Sequence, residues 1–84
     1  MKIKLSSKCF IEQFEDESII LNIETNKYHS INDCGAKIID VLGSESMSFD
    51  ELKTKIDKFY SGLNSQEIDT FIKNMLDRKI FIES

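Results

Sequence analysis

The stretch Leu21–Asp33, LNIETNKYHSIND, constrains this chain most. An apolar, isoleucine-rich run from Ser18 to Ile23 is broken by Glu24, Thr25 and Asn26. An extended pattern then resumes over Lys27–Ile31. Two β-prone runs separated by a short polar turn predict a hairpin. The second run stops at Asn32, a residue suited to capping the helix that follows. A strand in that position is predicted to lie at the edge of a small sheet. Edge strands carry unpaired backbone N–H and C=O groups that can capture another chain.

The flanking sequence fills in the rest. Residues 8–14 alternate and predict a strand before the hairpin, joined to it by an acidic turn at Glu15, Asp16 and Glu17. Three strands in sequence order make an antiparallel meander with the middle run most buried. A helix is expected from Asn32 or Asp33 to Leu42, ended by Gly43. Ser48 and Glu51 form a capping box, with Met47 and Leu52 as its hydrophobic staple, and open a second helix. Asn64 and Glu67 repeat the device with Leu63 and Ile68, and open a third helix over 65–79. That helix carries Ile68, Phe71, Ile72, Met75 and Leu76 on one stripe. Ile80, Phe81 and Ile82 are a short terminal apolar run with strand character. The expected fold class is α+β and winged-helix-like, a three-stranded antiparallel sheet followed by three helices, in one domain over 1–84.

Eighty-four residues leave little room for a deep catalytic cavity. The net charge of −4 argues against non-specific binding to nucleic acid or to an anionic membrane surface. No apolar run approaches a membrane span, and the N-terminus lacks the apolar core of a secretory signal, so a cytoplasmic location is expected. Cys9 and Cys34 are then expected to be free thiols. His29 and Cys34 are too few for a structural zinc site, and nothing in their spacing makes a nucleophile and base. Gly35, Gly43 and Gly62 are isolated, so there is no phosphate loop. No catalytic constellation and no cofactor is expected.

Two short helices joined by a turn bring DNA binding into consideration. The third helix sets Lys73, Arg78 and Lys79 against Glu67, Asp69 and Asp77, and the second helix is balanced as well. Neither has the basic face that phosphate contacts require. A winged-helix DNA-binding regulator therefore stands as the alternative to a peptide-binding module.

The segment ILNIETNKYHSINDCGAKIIDVL at 20–42 resembles the signature of PqqD-like proteins, the precursor recognition elements of ribosomally synthesised, post-translationally modified peptides (RiPPs). Tyr28, Ile31, Asn32, Gly35, Ala36 and Ile38 fall on its pattern positions. SFDELKTKIDKFY and EIDTFIKNMLDRKIFI resemble the family's later helices and closing apolar run. Ile31 stands where leucine is usual, His29 where a second aromatic is common, and Lys79 where glycine usually follows the third helix. The resemblance implies a non-catalytic module, of the kind that stands alone in lasso-peptide pathways. Such a module binds the leader of a precursor peptide as an added strand and hands it to a modifying enzyme such as a leader peptidase or radical SAM enzyme.

The leader is expected on the third strand, with Lys27, Tyr28, His29, Ser30 and Ile31 supplying main-chain hydrogen bonds. Ile68, Phe71, Ile72, Met75 and Leu76 are the candidates to line pockets beneath it. Asp69 and Lys73 are placed to meet charges on the leader. An unpaired edge also permits a homodimer.

Overall fold

The computed structural model describes residues 1–15 and 17–84. The chain runs β1 (Lys2–Leu5), β2 (Cys9–Phe14), β3 (Glu17–Asn22), β4 (Lys27–Ile31), α1 (Asp33–Leu42), β5 (Met47–Ser48), α2 (Phe49–Phe59), α3 (Ser65–Asp77) and β6 (Phe81–Glu83). It is an α+β arrangement with the expected three-stranded meander in the order β2-β3-β4. β4 is the third strand of the sequence reading, with the same bounds. The acidic turn expected at 15–17 includes Asp16, which lies outside the described residues, and Glu17 already belongs to β3.

The β3–β4 hairpin closes where Asn22 faces Lys27. The Asn22 carboxamide oxygen accepts from the N–H groups of Glu24 (2.9 Å) and Thr25 (3.2 Å). That is an Asx turn, which lets a buried polar side chain replace backbone pairing. Asn26 takes φ 58°, the left-handed conformation that asparagine tolerates. Ile23 belongs to this turn rather than to β3.

The three helix starts follow the sequence. The Asn32 side chain accepts from Gly35 N–H at 2.8 Å, Ser48 Oγ from Glu51 N–H at 3.1 Å, and Asn64 from Gln66 and Glu67 N–H at 2.8 and 3.2 Å. Each satisfies donors that a helix start leaves without partners. Ile38, Leu42, Leu52, Ile56 and Ile72 on the inner helix faces are fully buried and meet Ile3, Ile20, Ile80 and Phe81.

A second sheet, β5-β1-β6, was not expected from the sequence beyond its last strand. β1 lies centrally, with Ile3 facing both Met47 and Glu83. This pins the N-terminus, the α1–α2 connection and the C-terminus together. The turn from α3 into β6 passes through Lys79 at φ 62°. A side chain there costs about 1–2 kcal/mol, and glycine removes that cost while adding about 0.4–1 kcal/mol of unfolded-state entropy. Lys79→Gly is therefore expected to raise stability by up to about 1 kcal/mol, read as a higher urea midpoint.

Candidate peptide-binding site: the open β4 edge and the cleft beside α3

β4 pairs with β3 and with no other strand among the described residues. Which of its backbone groups are free follows from the ladder. Ile23 N–H donates to Lys8 C=O at 2.9 Å, continuing the β2–β3 register one pair beyond Cys9 and Asn22. Hydrogen-bonded and non-bonded pairs alternate in an antiparallel ladder. Residues 17, 19, 21 and 23 therefore bond toward β2, and 18, 20 and 22 toward β4. Their partners Ile31, His29 and Lys27 are thus spent on β3. Tyr28 and Ser30 are left with N–H and C=O directed to the open edge. Of the five residues expected to supply main-chain bonds, these two can do so from within the strand.

The side chains divide the same way, since strand residues alternate faces. Ile31 is buried and His29 half-buried, so Lys27, His29 and Ile31 share the helix-facing side. Tyr28 and Ser30 face outward, and Tyr28 is 71% exposed. Ser30 Oγ donates to Glu17 Oε1 at 2.8 Å across the outer face.

Beside the end of this strand lies an open cleft of about 550 Å³. Asn32 and Cys34 form one wall, and Glu67, Thr70, Phe71 and Asn74 of α3 form the other. Glu67, Phe71 and Asn74 recur at spacings of four and three, one stripe of the helix. The apolar stripe named from the sequence points elsewhere. Ile68, Ile72 and Met75 are 6%, 0% and 3% exposed, and they hold α3 onto the core instead of lining pockets. Asp69 turns toward α2, where its carboxylate meets Lys53 Nζ at 2.9 Å. Lys73 and Leu76, four and seven residues further on, follow it to that side. Phe71 alone of the expected α3 residues reaches the cleft. Glu67, Thr70 and Asn74 were missed because a polar row at helical spacing reads as solvated surface.

Phe71 is held from two directions. Its ring meets Phe81 edge-on, with centroids 6.1 Å apart and planes at 79°. A Cβ built on Gly35 would stand 2.5 Å from Phe71 Cε1, so α1 approaches the ring as only glycine allows. Overpacking costs about 1–3 kcal/mol, against about 1 kcal/mol gained from better helix propensity. Gly35→Ala is expected to lose about 1 kcal/mol of stability in a urea melt and to shift the Phe71 ring resonances.

Two groups near the strand and the cleft have shifted titrations. Burial pushes the Cys34 thiol above its ordinary pKa, the Glu67 carboxylate adds to this, and Lys37 opposes it. The thiol is therefore protonated and a poor nucleophile near neutrality. The His29 imidazole is held below its ordinary pKa, first by burial and then by the positive charges of Arg78 and Lys27. Glu67 thus lies beside Asn32 and Cys34 in the cleft.

A small antiparallel meander with β2 and β4 at its edges, followed by three capped helices, is the α+β arrangement expected from the sequence. Among solved structures the chain is similar to TbiB1 in complex with the TbiA(beta) leader peptide. The TM-score is 0.68 with 18% sequence identity, over 93% of each chain. At that identity the likeness is one of fold. Comparison with protein-family models and with curated proteins finds no match.

Proposed function

We propose that this chain is a PqqD-like recognition element that binds the leader segment of a ribosomally synthesised precursor peptide and presents it to a modifying enzyme. The observation that carries this reading is the open β4 edge beside the α3 cleft, in a fold shared with a protein solved with a leader peptide bound. The leader adds as a strand to β4. It exchanges main-chain bonds with Tyr28 and Ser30, and alternate side chains enter the cleft. Main-chain pairing supplies affinity with little sequence preference, and the cleft supplies the selection.

The outer face of the sheet supports the delivery step. Phe10, Leu21 and Tyr28 form a cross-strand row there, and both aromatic rings are more than half exposed. A leader seated on the edge leaves this row uncovered for the enzyme that receives the peptide, such as a leader peptidase or a radical SAM enzyme.

The test is an amide-shift titration of the labelled protein with the leader of a precursor encoded in the same gene neighbourhood. Shifts are expected at Tyr28, Ser30, Asn32, Thr70, Phe71 and Asn74. Shifts confined to α2, or scattered without pattern, would defeat the strand-addition reading.

A further inference from the structure

The meander has a second edge. β2 pairs with β3 and with no other strand among the described residues. By the same alternation, Phe10, Glu12 and Phe14 spend their backbone groups on β3. Cys9, Ile11 and Gln13 point theirs away from it. The Cys9 N–H donates to the Ser6 carbonyl at 3.0 Å, which leaves Ile11 and Gln13 with both groups free. Edges that avoid pairing carry lysine, proline, a bulge or an inward charge. Cys9–Phe14 carries none of these, and its register with β3 runs unbroken from end to end.

Beneath this edge runs a trough between β2 and α1. Ile11 lies on the helix-facing side of the sheet, opposite the fully buried Ile20, yet it stays 37% exposed. Adjoining cavities account for that. One of about 670 Å³ is lined by Leu5, Cys9, Ile11 and Ile39. A smaller one shares Ile11, Ile39 and Asp40 with it and continues to Gln13 and Ala36. A third, of about 450 Å³, begins at Gln13 and Ala36 and ends among Glu15, Glu17 and Asp33. Ala36, Ile39 and Asp40 recur at spacings of three and four, so one stripe of α1 forms the far wall. Free main-chain groups beside cavities that take alternate side chains are the two parts of strand capture.

The trough is graded in charge. No lysine or arginine lines the end at Glu15, Glu17 and Asp33. Asp33 is paired with Lys37 at 3.1 Å, whereas Glu15 and Glu17 belong to none of the ion pairs among the described residues. At the other end Lys4 offsets Asp40, and the lining beneath β2 is apolar. A cation is favoured at the first end and an apolar group at the second.

We propose that the β2 edge is a second strand-capture site, and that its occupant is an extended segment of a partner protein with Lys or Arg at the Glu15–Glu17–Asp33 end and an apolar side chain at the Cys9–Ile11–Ile39 end. This does not rest on leader binding at β4. Guest residues opposite Ile11 and Gln13 exchange main-chain bonds and turn their side chains into the trough. In an antiparallel guest the basic residue therefore precedes the apolar one by two or four positions.

The probe is a randomised peptide library in mRNA display. It is selected on the wild-type chain, on Ser30→Pro, which closes the β4 edge, and on Gln13→Pro, which closes β2, each checked for a native amide spectrum. One set of binders should survive Ser30→Pro, be lost on Gln13→Pro, and carry the basic and apolar residues at that spacing. Such a peptide should shift the Ile11 and Gln13 amides of the wild-type chain, a readout that stands even where Gln13→Pro unfolds. Replacing its basic residue by glutamine should weaken binding about threefold at low salt and less at high salt, and Glu15→Gln/Glu17→Gln should shrink that difference.

Binders that never shift Ile11 and Gln13, or that do so without a positional Lys or Arg, overturn the proposal. A wild-type chain that sediments as a dimer while Gln13→Pro sediments as a monomer gives the edge to a second copy. A precursor leader that shifts Ile11 and Gln13 in place of Tyr28 and Ser30 gives it to the leader. Either result overturns the assignment to a separate partner.

Discussion

Ser30→Pro is expected to leave the chain folded and to abolish most leader capture, whereas His29→Pro, one residue earlier, is expected to collapse the sheet. The contrast follows from the alternation set by the Ile23–Lys8 bond. The Ser30 N–H faces the open edge, where proline is tolerated because no internal ladder bond is lost. The internal loss is the exposed Ser30–Glu17 hydrogen bond, about 0.5–1 kcal/mol. A leader strand, however, loses a donor, keeps an unsatisfied carbonyl and meets the pyrrolidine ring. Together these cost about 2–3 kcal/mol, a weakening of about 30- to 150-fold. At His29 the N–H is paired with the carbonyl of Ile20, whose side chain is fully buried. Proline there orphans that carbonyl for roughly 1–3 kcal/mol and forces its ring into the ladder. Urea melts of both variants, with peptide anisotropy titrations on whichever is folded, measure the pair. Equal stability loss in the two would refute the assignment of free and paired backbone groups.

Ile72→Ala is the second large effect, and it is one of stability. Ile72 is fully buried in the core that joins α3 to the rest of the molecule. Removing a buried isoleucine to its Cβ costs about 2–5 kcal/mol, the transfer of the lost methyl and methylene groups plus the cavity they leave. Domains of this size have only about 5–15 kcal/mol to lose, so the urea midpoint should fall steeply. A charged residue at Ile72 acts more severely in the same way, by burying an unpaired charge. Any loss of leader binding in such variants is a consequence of unfolding. Phe71→Ala separates the two effects. Its ring is only partly buried at the cleft wall, so the variant should stay folded at lower stability while its affinity for the leader falls. A Phe71→Ala chain with unchanged affinity would exclude the cleft as the place where leader side chains are read.

Local structure was legible wherever one short segment decided its own conformation. The bounds of β4, the Asn32, Ser48 and Asn64 caps, and the end of α1 at Gly43 all follow from residues within a few positions of each other. The end of α3 was not legible: the sequence carries the helix to Lys79, whereas it stops at Asp77 and Lys79 turns left-handed at φ 62°. The second sheet was not legible. Lys2–Leu5 alternates over only four residues, and Met47–Ser48 is two residues long. Such strands exist because three distant parts of the chain meet.

The candidate site divides along the same line. Hydrophobic periodicity selected Ile68, Ile72 and Met75 correctly as one face of α3, but periodicity reports what is withdrawn from water and not what borders a cleft. The residues that do border it, Glu67, Thr70 and Asn74, are polar and look like any solvated row until Asn32 and the start of α1 are set beside them. The sequence by itself determined the hairpin, its edge strand and the three capped helices, because turns, caps and strand alternation are interactions among near neighbours. Only the tertiary structure decided which backbone groups of β4 stay unpaired and which side of α3 lines the cleft. Those depend on register and helix rotation, which packing between distant segments sets.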